Sequence, residues 1–177
     1  MNSKFENIWK DFSEDQSIGI STIEDCSFDD DNKVVLINSE KPAINFDKAS
    51  EVLVKRLDIR QKPKSVDCLY LENEWLILTE FKNITKINKK IDDIKLKIHD
   101  SLLLLNFLYK FDEDDFRFTE IIIVQKGNAP VASNQKSSSH LKGLANSSCP
   151  PRLKFLQKGY RIKISSMYQD EYLKRIE

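Results

Sequence analysis

Residues 64–83 read KSVDCLYLENEWLILTEFKN, and within them two runs rich in apolar and aromatic residues, Val66–Leu71 and Trp75–Phe81, flank a polar Glu72-Asn73-Glu74 turn. Such runs on either side of a short polar break predict a β-hairpin. In the second run Trp75, Ile77, Thr79 and Phe81 face one way, and Leu76, Leu78, Glu80 and Lys82 face the other. Both faces begin apolar, which predicts a central strand buried on both sides. One face then ends in an acid and a base two residues apart. Burying either charge is costly unless it is paired or bound to a metal. Asp67, on the other arm of the hairpin, falls opposite Glu80 across the turn. Two carboxylates converging on one sheet position repel, and a hard divalent cation relieves that repulsion. A cation so placed can activate water and stabilise charge on a phosphodiester, and Lys82 adds a second positive group.

Outward from the hairpin, Pro42 interrupts the chain and Asp47 can cap a helix through about Ile59, with Phe46, Ala49, Val52, Leu53 and Leu57 as its apolar stripe. After the hairpin, Ile84, Ile87, Ile91, Ile94, Ile98, Leu102, Leu105 and Leu108 repeat in a 3-4 pattern, predicting a long helix packed on the sheet, with Lys86, Lys89, Lys90, Lys95 and Lys97 off the stripe. A strand follows at Phe118–Gln125. At the N-terminus, Ser3 and Glu6 form a capping box before the helical repeat Phe5, Ile8, Trp9, Phe12. Val34–Ile37 reads as a buried strand or strand edge. Residues 127–150, rich in Ser, Asn, Gly and Ala, read as a long mobile loop with a short helix near Leu141–Ala145. Tyr160–Ile164 reads as a last strand and Met167–Ile176 as a terminal helix. The expected architecture is α/β, a single domain with a mixed central sheet flanked by helices.

The 28 basic and 28 acidic side chains cancel, but they are unevenly spread. Residues 1–60 hold 13 acids against 8 bases, and residues 121–177 hold 3 against 10. No acid occurs between Ile121 and Gln169, a basic region able either to follow a phosphate backbone or to neutralise the acidic N-terminal third. No apolar run approaches the roughly 18 residues of a membrane span; Leu102–Leu105 is four long. The start MNSKFENIWKDF has no apolar h-region, so a secretory signal is not expected. Cys26, Cys68 and Cys149, odd in number and without metal-type spacing, read as reduced cytoplasmic thiols, with Cys68 in the core. With two histidines, His99 and His140, a zinc site or Ser-His-Asp triad has little to work with. None of the four glycines forms a Walker or Rossmann loop.

Asp67, twelve intervening residues and then Glu80-Phe81-Lys82 resemble the PD-(D/E)XK nuclease superfamily, over a segment from about Asp47 to Gln125. The family's proline before the aspartate is replaced by Val66, with Pro63 upstream. The resemblance implies a restriction-endonuclease-like core at residues 41–177, carrying the mobile loop, with residues 1–40 as an N-terminal helical extension packed on it. It implies that Asp67 and Glu80 bind Mg²⁺ or Mn²⁺ and that Lys82 assists catalysis. Family members often add an acid from the preceding helix, for which Glu51 is the matching residue, although it projects away from the apolar stripe. They often place polar groups at the end of the strand after the long helix, here Gln125 and Lys126. Lys126, Lys136, Lys142 and Arg152 are the expected nucleic-acid contacts.

The function expected on this basis is metal-dependent hydrolysis of nucleic acid, DNA in preference to RNA. Two other readings remain open. One is a catalytically inactive protein of the same fold acting as a binding or immunity module, as in phage defence, with the acidic Asp29–Asp31 segment suiting a basic protein partner. The other is an RNA endonuclease. A homodimer fits the family, but no residue here marks a dimer face. A third reading, for Glu80 and Lys82 alone, is a structural ion pair at a strand end.

Overall fold

A computed structural model of the chain describes residues 3–127 and 149–177. The elements run α1 (Ser3–Ser13), β1 (Ser21–Thr22), α2 (Ile23–Cys26), β2 (Phe28–Asp29), β3 (Val34–Val35), β4 (Pro42–Asn45) and α3 (Phe46–Arg56). They continue with β5 (Cys68–Glu72), β6 (Trp75–Lys82), α4 (Ile91–Tyr109), α5 (Glu113–Arg117), β7 (Thr119–Gln125), α6 (Lys154–Tyr160), β8 (Lys163–Tyr168) and α7 (Gln169–Ile176). Single 3₁₀ turns at Ile87–Lys89 and Pro151–Leu153 precede α4 and α6.

Six strands form one mixed sheet in the order β1-β4-β5-β6-β7-β8. The hairpin β5–β6 is antiparallel and in register from Glu72↔Trp75 to Cys68↔Thr79, with Asn73 in the left-handed region (φ 55°) at its turn. β6 pairs in parallel with β7, and β7 with β8, so β6 is central, as its two apolar faces require. One face carries Leu69, Leu76, Leu78, Ile121 and Ile123 under helices α1, α3, α4 and α6. The other carries Cys68, Tyr70, Ile77, Phe81, Ile122 and Val124 under α2 and α7. Among the described residues, no helix is long and apolar enough to cross a membrane.

Several elements differ from their sequence reading for identifiable reasons. The long helix starts at Ile91 rather than Ile84. A start at 84 would put Lys86, Lys89 and Lys90 in its first turns, against the positive end of the helix dipole; the start at 91 puts Asp92 and Asp93 there. The helix before the hairpin is capped by Asn45, whose Oδ1 accepts the Lys48 N–H (2.9 Å), not by Asp47. Val34 and Val35 are exposed and pair only with β2; Leu36 and Ile37 are the buried half of that run, tied to Ser27. The last strand is β8, some three residues later than expected. Ser165 looks like a turn residue, yet it is buried and its Oγ donates to Glu120 Oε1 (3.1 Å). The expected mobile loop and short helix fall almost wholly on residues 128–148, outside the described residues.

On the α7 side of the sheet the Arg175 guanidinium clamps two strands. It donates to Glu120 Oε1 and Oε2 (3.0 and 2.9 Å) and to Glu72 Oε2 (2.9 and 3.3 Å). Glu120 is only 2% exposed. Burial alone would raise its carboxyl, and Arg175 and Lys163 hold it below the usual range instead. Losing the guanidinium leaves a buried carboxylate with the Ser165 hydroxyl and one half-exposed lysine, so Arg175→Met is expected to lower the unfolding free energy by about 3 kcal/mol in urea melts. Lys163→Met, removing only the exposed partner, is expected to cost less than about 1 kcal/mol.

Candidate active site

At the end of the hairpin away from its turn, the register sets Asp67 beside Glu80. Asp67 N–H donates to the Thr79 carbonyl (3.1 Å), and Asp67 Oδ2 accepts the Phe81 N–H (2.7 Å). The Asp67 carboxylate is therefore pinned to the strand that carries Glu80. Glu80 shares its face with Leu76 and Leu78 and has no exposed surface.

The opposing charge comes from two directions. Lys82 Nζ lies 2.6 Å from Glu80 Oε1 and 3.4 Å from Asp93 Oδ2. Lys97, from α4, donates to Asp67 Oδ1 (2.9 Å) and Glu80 Oε2 (3.1 Å) and lies 2.9 Å from Glu80 Oε1. Both ammonium groups therefore converge on Oε1, the atom of Glu80 that faces Lys82. Burial first and the Asp67 charge second push the Glu80 carboxyl up to about 8, against the pull of Lys97 and Lys82. Burial draws Lys97 down, but Glu80 and Asp67 outweigh it and hold the ammonium well above its usual range.

Lys97 stood off the apolar stripe in the sequence and carried no expected role. It belongs to a polar edge of α4, Asp93, Lys97, Asp100 and Ser101, whose spacing of four, three and one places all four on one side of the helix. Each grips the segment entering β5 or the end of β6. Asp93 pairs with Lys64 and Lys82, Asp100 Oδ2 accepts the Lys64 N–H (3.0 Å), and Ser101 Oγ accepts the buried Val66 N–H (3.0 Å). Polar residues at helical spacing along the flank of a buried stripe are the signal that would have found them.

Of the remaining expected residues, Glu51 is exposed on α3 and holds Lys62 (2.8 Å). Asp47, one turn earlier, stands nearer the centre. It accepts from Ser65 Oγ (2.6 Å) and pairs with Lys62 (3.1 Å). Burial raises Asp47, but Ser65, Lys62 and the field of Lys97 bring its carboxyl below the usual range. Gln125 ends β7 beside Lys82 in register, and the Lys126 N–H is shared by the carbonyls of Lys82 and Ile84 (3.1 Å each). Arg152 lies on the far side of the α4 start, holding Asp92 (2.9 and 3.0 Å). Lys136 and Lys142 lie outside the described residues.

Among the described residues, no three His, Cys, Asp or Glu side chains are grouped to hold a metal ion. Asp67 and Glu80 offer two hard oxygen donors, both now answered by Lys97. By donor chemistry the pair fits an ion of the Mg²⁺ type, which commonly takes one or two protein carboxylates and keeps water or substrate oxygens for the rest. In comparison with known proteins, the chain matches no family model, no curated protein and no solved structure.

The raised Glu80 carboxyl has a thermodynamic sign. Between 4.5, its unfolded value, and about 8, the folded chain holds a proton that the unfolded chain has lost, so stability from this group falls as pH rises. Glu80→Gln lacks that titration. Its stability relative to wild type is expected to improve from about pH 5 to about pH 8, by at most about 1.4 kcal/mol per pH unit. Parallel stability profiles for the two proteins would show that Glu80 keeps its charge when buried.

Proposed function

We propose that this chain is a divalent-metal-dependent phosphodiesterase acting on nucleic acid, DNA in preference to RNA, built on a restriction-endonuclease-like core of the PD-(D/E)XK type. The observation that carries the reading is the convergence of Asp67 and the fully buried Glu80 from adjacent strands on the end of a central strand, with Lys82 and Lys97 beside them. Asp67 and Glu80 are the residues that hold the ion. When bound, the ion supplies Lewis-acid polarisation of the phosphoryl group and an activated water. Lys82, steadied by Asp93, and Lys97 place two ammonium groups where negative charge develops on the phosphoryl oxygens. Asp100 and Ser101 position the segment that carries Asp67.

Asp67→Ala and Glu80→Ala are each expected to abolish Mn²⁺-dependent cutting of plasmid DNA while keeping a cooperative urea transition. Metal-dependent cutting retained by either variant would sink the mechanism. Plasmid and single-stranded RNA run side by side test the DNA preference; faster cutting of the RNA would move the reading to an RNA endonuclease.

A second reading is favoured by Lys97 itself. Its ammonium, 2.9 Å from an oxygen of each carboxylate, already supplies positive charge between them, as a non-catalytic binding or immunity protein of this fold would need. Calorimetry separates the two. Removing the competing ammonium in Lys97→Met is expected to tighten Mn²⁺ binding by about tenfold or more, since charges this close interact by several kcal/mol even at an effective dielectric constant of about 20. No Mn²⁺ binding by wild type or by Lys97→Met would leave the non-catalytic reading.

A further inference from the structure

We infer that the phosphate backbone of the substrate runs across the short loop that leaves β6, beside the carboxylates, held by Lys86, Lys89, Lys90 and Lys126. This rests on the nuclease reading and adds to it where the polymer lies.

The fold puts the three segments together. Residues 57–67 lead into the start of β5, which pairs with the end of β6; residues 83–90 leave that same end of β6. Lys126 follows β7, which runs parallel to β6, and its N–H bonds to Lys82 and Ile84 fix it against the loop that leaves β6. The loop that leaves β6 is basic: from Phe81 to Ile91 there are four lysines and no acid, and of the four only Lys82 is ion-paired.

Ion pairing then divides these cations into two groups. Lys62, Lys64, Lys82 and Lys97 are taken up by Asp47, Glu51, Asp93, Glu80 and Asp67. Among the described residues, Lys86, Lys89, Lys90 and Lys126 are exposed and lie within ion-pair distance of no carboxylate. In the basic C-terminal region Arg152 is bound to Asp92, Arg161 to Glu113 and Lys163 to Glu120, while Lys154 and Lys158 are exposed on α6, a different element from the end of β6.

Clustered positive charge of this kind repels itself, and three of the lysines sit ahead of the N-terminus of α4, where the helix dipole also disfavours cations. Among the described residues no carboxylate forms an ion pair with them; Asp92 and Asp93, which follow them, pair with Lys64, Lys82, Lys95 and Arg152. A polyanion offsets that repulsion, because each phosphate neutralised releases condensed counterions. Lys82, which pairs with Glu80, directly precedes this loop, so a backbone crossing the loop would present a phosphodiester to Asp67 and Glu80.

The test is fluorescence anisotropy without divalent ions, so that binding is read apart from cutting, on a labelled 20-bp DNA duplex and a 20-nucleotide RNA strand (probe lengths of about two duplex turns and its single-stranded counterpart). The variants are Lys86→Glu/Lys89→Glu/Lys90→Glu and, removing charge without reversing it, Lys86→Gln/Lys89→Gln/Lys90→Gln. The control is Lys154→Gln/Lys158→Gln, two exposed lysines on α6. For the Gln variant on the duplex, the slope of log K against log salt is expected to become shallower by about 2.7, three contacts at about 0.9 each. The Glu variant is expected to lose binding further, and the control to bind within about twofold of wild type. Unchanged slopes in both loop variants, an equal loss in the control, or no binding of either probe by wild type would overturn the inference. Wild-type cutting with Mn²⁺ is scored separately. Cutting with unaltered loop variants removes the backbone track alone, and a loop-dependent affinity without cutting removes the nuclease reading alone.

Discussion

An acid with no exposed surface ionises only where positive charge answers it, and Glu80 is that acid. The demand reaches well beyond the strand that carries it. It requires Lys82 to fold back along the same face, and it requires α4 to lie over β6 in one rotational setting, the setting that aims Lys97 at Glu80 while Ile94, Ile98 and Leu102 enter the core. That setting brings Asp100 and Ser101 to the backbone entering β5 and so fixes Asp67. Apolar packing and charge pairing therefore specify the same orientation of one helix, the kind of agreement between levels that gives a sequence a single structure.

The two faces of the sheet answer buried acids with different chemistry. On the α7 face a planar guanidinium forks onto Glu120 and Glu72, making four hydrogen bonds of fixed direction. On the α4 face the acids meet lysines, compact charges on flexible stems that can move without breaking a directional lattice. The first arrangement suits a joint that stays closed. The second suits a place where charges exchange partners when a ligand arrives.

What could be read from the residues was whatever depended on a short stretch of chain. The hairpin, the two faces of Trp75–Lys82 and the meeting of Asp67 with Glu80 all follow from alternation about a short turn, and the structure has them. Parts that depend on distant partners were misplaced. Ser165 looks like a turn residue until Glu120, 45 positions away, accepts its hydroxyl. Val34–Ile37 looks like one buried strand, and only its second half finds a core. Lys97 is one surface lysine among five until the helix is laid on the sheet. The start of α4 was the exception, since the lysines before Ile91 and the aspartates after it carried the boundary in plain charge order.

The hairpin turn has a consequence for how this chain can vary in length. Surface turns are ordinarily where insertions and deletions are absorbed with least harm. Here Glu72 pairs directly with Trp75, with Asn73 and Glu74 as the entire connection, and every pairing down to Cys68↔Thr79 is counted from it. Side chains alternate with a period of two, so a one-residue change that shifted the register would pair Asp67 with a residue of the opposite face. If β6 took up the slip, Glu80, and Lys82 with it, would be turned toward Phe81's neighbours, among them the Tyr172 ring, and away from Asp67 and Lys97. A single added codon at an exposed tip could thus undo the carboxylate pair without touching any of its members. Changes in length are best accommodated in other connections.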